Sequence, residues 1–473
     1  MPKEPKAGGQ TRMHIQRSPS VEPSPLKRTR RVPVLGRPGD RVDMRTEQDE
    51  GKFPPMLREV DLGVRHRTDH PRGGMVPLTH QVPADLGQSS GWRTGCVKPR
   101  QPAYKTIQLP VCSGFQAPLT RARQTRRAFD GALYLGWPES VKVGLLKEGK
   151  LVMAEAPEPQ LSGGDMVVSM RACGLCGSDI EKIRGHYGAT GRIGHEPAGI
   201  VRSVAPGVSG FSPGDRVFVH HHVPCYTCEV CRAGSYTFCP SYQKTNIEPG
   251  GFAEAFRVPP ENVGRGAVLP LPPSMSFEEA TLIEPLGCCL TALWSTRFRP
   301  GDSALILGLG PIGLLYLRLL RTAGAGRLVG GDVSAFRRKM GEASGADRTF
   351  DPTREPVDAS GGFDLVVVAT SATAAVARGF TDVRPGGTLN LFGLPPEGSQ
   401  LPVDLQRLYL KGVRLIPSYA TTEHGTNRAL ELISSGRVPV RDLITHRVPL
   451  SDLPRAVELA AQVESTIKIV VTA

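Results

Sequence analysis

No run of 18 or more apolar residues occurs in the 473-residue chain, so no stretch reads as a membrane-spanning helix. The opening MPKEPKAGGQTRMHIQRSPS lacks the apolar centre of a secretory signal, and its prolines and glycines break the amphipathic helix of a transit peptide. The expected location is the cytoplasm. Internal repeats are missing too, and the length suits two ordinary domains and a tail. The body also lacks charge: residues 141–473 carry 34 Lys and Arg against 32 Asp and Glu. The overall charge of +13 therefore belongs to residues 1–140, which hold 24 against 13. That segment has little helical or strand periodicity and contains 17 of the 43 prolines. It is expected to be a disordered basic extension. A basic arm can attract nucleic acid through counterion release, but no nucleic-acid partner is expected here. Val141 is what an internal GTG start codon would encode, so a mis-set start is a further account of the extension.

Disulfide-like spacing is also missing. Of ten cysteines, four fall between residues 225 and 239 and two flank Gly174-Leu175. Clustering of this kind argues for metal binding in a reducing compartment.

From Val141 short β-rich pieces, DMVVSMRA, AGIVRSVA and DRVFVHHHV, alternate with Gly/Pro turns and predict a compact β-rich unit. Near residue 291 the pattern changes. SALILGLGPIGLLYLRLLRTAGA reads as a buried strand, a glycine turn and a helix. RLVGGD, FDLVVVAT and GTLNLFG read as further strands, with helices around 335–344 and 372–381. Such alternation predicts an α/β domain with a doubly wound parallel sheet. The closing residues read as helix, strand and helix, and then STIKIVVTA, a strand that rejoins the first unit. The expected division is 1–140, 141–290, 291–417 and 418–473, the last part completing the second.

CYTCEVCRAGSYTFC places Cys225, Cys228, Cys231 and Cys239 at C-x2-C-x2-C-x7-C. Four thiolates can close round one tetrahedral zinc and leave no position for substrate, so the site is read as structural. Redox pairs or unbound thiols are the alternative, and alone the cluster also suits a zinc ribbon that binds nucleic acid. GLGPIG supplies Gly308, Gly310 and Gly313 after a strand and before a helix, the pattern that cradles a dinucleotide pyrophosphate. Asp332, 24 residues after Gly308, ends the next strand, where an acid binds a ribose 2′-hydroxyl and repels a 2′-phosphate. NAD is the predicted cofactor. Arg337 and Arg338 would favour NADP if they turned to the ribose, but read as solvated helix positions.

With those motifs placed, CGLCGSDIEKIRGHYGATGRIGHEPAGIVRSVAPGV, residues 173–208, is similar to the zinc-dependent medium-chain dehydrogenase/reductase family of alcohol, sorbitol and threonine dehydrogenases. The resemblance runs over 141–473 and finds no counterpart in 1–140. It implies a GroES-like catalytic domain beside a Rossmann domain, with the active site in the cleft between them. It implies Cys176 and His195 as ligands of a catalytic zinc, and Glu196 or Glu284 as the third. Glutamate at 284, where the alcohol dehydrogenases proper carry cysteine, points to the polyol branch. Ser178 matches the family's proton-relay hydroxyl, and Asp179 the carboxylate that orients His195. Glu181 stands where classical alcohol dehydrogenases have a histidine, leaving Glu181, His186 or water to pass the proton to solvent. Cys173, Cys288 and Cys289 read as packed residues, His220–His222 as no metal site, and Lys468 as an approach to the cofactor phosphates. The implied activity is NAD-dependent oxidation of a secondary alcohol to a ketone, with a polyol, cyclitol or sugar-like substrate first and an amino alcohol second. Two zinc ions per chain and a homodimer or homotetramer go with it.

Overall fold

The computed structural model describes residues 139–473 apart from 187–190 and 358–359. The expected basic extension therefore lies, but for its last two residues, outside the described residues.

The chain opens with an antiparallel hairpin, β1 (Ser140–Lys147) and β2 (Lys150–Pro157). β3 (Met166–Gly174), α1 (Gly177–Ile183), β4 (Glu196–Val204) and β5 (Arg216–Val219) follow. A cysteine lobe with the helical turn α2 (Glu229–Arg232) precedes β6 (Ala255–Val258), α3 (Pro260–Gly264), β7 (Val268–Pro270) and α4 (Phe277–Ala280). The buried helix α5 (Ile283–Ser295) leads out of this unit. β3 is buried on both faces, because Val167 packs with Val141 of β1 while Met166, Val168 and Met170 enter the main core.

The second unit alternates β8 (Ser303–Leu307), α6 (Pro311–Thr322), β9 (Arg327–Gly331), α7 (Ala335–Ala343), β10 (Arg348–Phe350), β11 (Phe363–Val368), α8 (Thr373–Asp382), β12 (Val383–Leu391), α9 (Leu405–Lys411) and β13 (Arg414–Pro417). Its six strands are all parallel, in the order β10-β9-β8-β11-β12-β13. This is the two-halved order of a Rossmann sheet, with its crevice where the order reverses, beside β8. ALIL of β8 and LVVV of β11 are continuously apolar because both faces are covered. Ala304, Ile306, Leu365 and Val367 face one core, and Leu305, Leu307, Val366 and Val368 the other.

The chain then returns through α10 (Glu423–Ser434), β14 (Ile444–Pro449), α11 (Leu453–Ala460) and β15 (Lys468–Thr472). β15 pairs antiparallel with β3, giving a seven-stranded sheet ordered β14-β15-β3-β4-β5-β7, with β6 also on β3. The first core of the parallel sheet continues into this sheet through Ala172, Ala198 and Phe218, with α5 between. One expectation shifts: β5 ends at Val219, so the histidines 220–222 occupy the turn after it. Asn262 holds that turn, its Nδ2 donating to the carbonyls of His220 and His221 at 3.0 Å each.

Candidate active site

Cys176 lies just past β3 as the N-cap of α1, and Asp179 fixes it there by accepting the Cys176 backbone N–H on Oδ2 at 3.2 Å. Asp179 Oδ1 accepts from Gly194 N at 3.0 Å and from His195 Nδ1 at 3.2 Å. One fully buried carboxylate thus ties the α1 turn to the approach to β4. Burial alone would raise the Asp179 carboxyl, but the His195 ring and the hydrogen bonds bring it down to about 2. Burial likewise opposes a charge on His195, and Asp179 and Cys176 outweigh it, raising the ring well above its ordinary value. With Nδ1 engaged, the other ring nitrogen is left to a ligand.

Glu196 opens β4. Its Oε2 meets the ammonium of Lys468 on β15, which also donates to Leu175 O at 3.2 Å. Glu196 Oε1 is buried and has no hydrogen-bond partner among the described residues. Ligand atoms of Cys176, His195 and Glu196 all lie within 4.8 Å of one another. A thiol, an imidazole and an orphaned carboxylate oxygen form a donor set that fits a zinc ion. Only glycine fits at 174, since a Cβ there would lie 1.8 Å from Glu196 Oε2. Glu284, on the first turn of α5, is buried, accepts from Cys288 Sγ at 3.2 Å, and is outside that mutual set. Burial raises its carboxyl. Ser178 is half-buried in the first turn of α1. Glu181 points outward and accepts from His186 Nδ1 at 2.6 Å and Arg184 Nη1 at 2.9 Å.

The sulfurs of Cys225, Cys228, Cys231 and Cys239 also lie within 4.8 Å of one another. Measured pairs are 3.5 Å for Cys225–Cys239, 3.8 Å for Cys228–Cys239 and 4.0 Å for Cys225–Cys231. A tetrahedron of sulfurs about 2.3 Å from a zinc has edges of about 3.8 Å, so the lobe fits one. The eight described cysteines are all free. Hydrogen bonds from Thr227 bring Cys225 down to about 5, while burial pushes Cys231 up to about 12.

At the nucleotide edge Gly308 has φ +93°, and a Cβ on Gly313 would lie 1.9 Å from Gly308 O. Asp332 clamps the turn, accepting from Leu309 N at 2.7 Å and Ser334 N at 2.9 Å. Gly310 caps α6. Arg338 donates to the carbonyls of Asp332 and Val333, whereas Arg337 Nη1 lies 3.9 Å from where a Gly310 Cβ would stand.

Residues 162–272 match the alcohol dehydrogenase GroES-like domain, and residues 311–435 the zinc-binding dehydrogenase domain. The sorbitol dehydrogenase of Bacillus subtilis (strain 168) is 29% identical over 348 residues, 69% of this chain and 95% of that protein. The L-threonine 3-dehydrogenase of Pyrococcus abyssi is 32% identical over 321 residues, 63% of this chain and 87% of its own. A zinc-binding dehydrogenase of Sinorhizobium meliloti 1021, solved bound to NADP, superposes with a TM-score of 0.64 at 25% identity, covering 71% of this chain and all of that one. The chain belongs to the zinc-dependent medium-chain dehydrogenase/reductase family. Several features of this dehydrogenase had no local signal. Lys468 does not reach toward the glycine turn; it is buried against Glu196, 272 residues away in sequence. His221 packs its ring 5.0 Å from that of His195, and burial lowers it well below the usual histidine value. Among the described residues no helix is long and apolar enough to cross a membrane.

Proposed function

We propose that this dehydrogenase oxidises a secondary alcohol, of polyol, cyclitol or sugar-like class, to a ketone and passes hydride to NAD. The observation that carries the reading is the Cys176–His195–Glu196 cluster, with Glu196 Oε1 left unpartnered. These three residues would hold the catalytic zinc, with Glu284 as the alternative acid. Bound there, zinc supplies Lewis acidity that lowers the pKa of a substrate hydroxyl. Asp179 keeps the His195 ring in one orientation, and Lys468 offsets the charge of Glu196. Ser178 relays the hydroxyl proton, accepting it as it releases its own toward the exposed Glu181–His186 pair, which passes it to solvent. Asp332 accepts from the adenosine ribose and disfavours a 2′-phosphate.

Cys225, Cys228, Cys231 and Cys239 would hold a second, structural zinc, giving two per chain. The exposed Leu405, Tyr409 and Leu410 of α9, beside the edge strand β13 with its exposed Leu415, support a homodimer or homotetramer. Free, clustered cysteines favour the cytoplasm.

Following NADH absorbance over a panel of polyols, inositols, sugars and amino alcohols tests the reading. Turnover of a polyol or cyclitol is expected. Turnover confined to threonine would favour the amino-alcohol reading, which the Pyrococcus relative supports. No turnover of any secondary alcohol would overturn both.

A further inference from the structure

At the other end of the parallel sheet from the glycine turn, the starts of β8, β11 and β13 border a cavity of about 210 Å³. Arg297, Arg299, Arg384 and Arg414 line it, against the carboxylates of Asp302 and Asp364. Both acids are already engaged. Asp302 Oδ2 accepts from Arg299 N at 2.8 Å. Asp364 accepts from Ser303 N at 2.9 Å, Ser303 Oγ at 2.7 Å and Arg384 Nε at 2.6 Å. Four guanidiniums therefore face two carboxylates, and the surplus is positive. Arg414 donates through Nη2 to Thr388 Oγ1 at 2.6 Å, while its Nε is buried with no partner among the described residues. Arg297 makes no hydrogen bond or ion pair among the described residues. Burial and the nearness of Arg297 and Arg384 pull the Arg414 guanidinium below its ordinary value.

A guanidinium held between two others, with an N–H left over, is a costly arrangement unless an anion joins it. Arginine forks match phosphate oxygens two at a time. The space is smaller than the about 300–1,000 Å³ of sites for drug-sized ligands, which excludes a dinucleotide. We propose that this cavity binds a phosphate group, either as inorganic phosphate or as the monoester of a small polyol, at a site separate from the nucleotide edge.

The test is calorimetric titration of the full chain under saturating NAD, which keeps the glycine turn occupied. Inorganic phosphate and glycerol 3-phosphate are titrated in parallel, with chloride at matched ionic strength as the control. One saturable site per chain is expected, at least tenfold weaker in Arg414→Met and in Arg297→Met and unchanged in Arg428→Met. Tighter binding of glycerol 3-phosphate assigns the ester, and tighter binding of inorganic phosphate assigns the free ion; either upholds the site. Arg297 has no hydrogen bond to lose, so its variant reports on the site even if Arg414→Met folds poorly. Binding no stronger than the chloride control, or equal binding in wild type and Arg297→Met, would overturn the proposal.

Discussion

At position 174 a single methyl group decides whether the acid of the site keeps its counter-ion. A Cβ there would lie 1.8 Å from Glu196 Oε2 and 2.9 Å from Lys468 Cε, so Gly174→Ala must part the two. Breaking a buried ion pair by displacing one partner costs about 3–5 kcal/mol. The variant is expected to unfold more easily by an amount of that order and to lose most of its turnover. Metal analysis should find the four-cysteine site still filled and the other depleted. Wild-type stability with undiminished turnover would show that the pair contributes neither. This contact also marks how far the site was legible from the sequence. Cys176, Asp179, His195 and Glu196 fall within 21 residues, and their spacing carried the reading. Lys468 joins them through the pairing of β15 with β3; STIKIVVTA reads as a strand that rejoins the first unit, but nothing local to residue 468 names β3 or Glu196 as its partner. Likewise His221 looked like part of a strand, and its place against His195 depends on Asn262 turning the chain after Val219.

Among the elements, the cysteine lobe has the least core of its own. Its buried cluster is Cys231, Cys239 and Tyr242, edged by Cys225, Cys228 and Ala420. So little apolar burial means that the proposed structural zinc would supply much of the lobe's folding energy. Cys228→Ala should therefore lower the melting temperature and open the lobe to proteolysis, whereas Cys176→Ala should abolish turnover with little change in melting. Equal stability of the Cys228 variant at full metal content would reverse these roles. A different tie secures the start of β3. Burial alone would raise the Asp165 carboxyl, but bonds from Ser162 and the Arg257 guanidinium on β6 hold it below its usual 3.8. A carboxyl lowered on folding adds stability above its unfolded pKa, and that stability is lost as pH falls through the folded value. Asp165→Asn should thus be less stable than wild type at neutral pH and lose less on acidification below about pH 4. Parallel unfolding curves for both proteins across that range would refute the assignment. Elements with long apolar runs, such as β8, β11 and α6, were legible in advance. The three-residue β10, the edge strand β13 and α9 were not, because edge positions and exposed apolar side chains leave no periodic contrast to read.

Over the whole molecule the two sheets share one core through α5, and the nucleotide edge and the cysteine–histidine cluster come from different sheets. Cofactor choice can therefore be changed without touching the proposed metal ligands. Asp332→Ala removes the carboxylate that would repel a 2′-phosphate, so the preference for NAD should narrow by about tenfold or more in kcat/KM, while zinc content stays the same. Steady-state kinetics with NAD and NADP decide it; a wild type that prefers NADP would give Arg337, beside Gly310, the role assigned to Asp332. The pairing of β15 with β3 has a consequence for the making of the protein. Val470 and Val471 sit opposite Gly174 and Cys173, so one flank of the first sheet waits for strands made after the whole parallel sheet. Domains otherwise fold in the order in which they are synthesised. Here the parallel sheet can be finished while the unit that precedes it is still missing β14 and β15 on one flank. Lys468 arrives with β15 as its first residue. A nascent chain therefore holds Glu196 without its ammonium until β15, 272 residues further on, has been made, and until then the finished nucleotide fold has an incomplete cluster beside it.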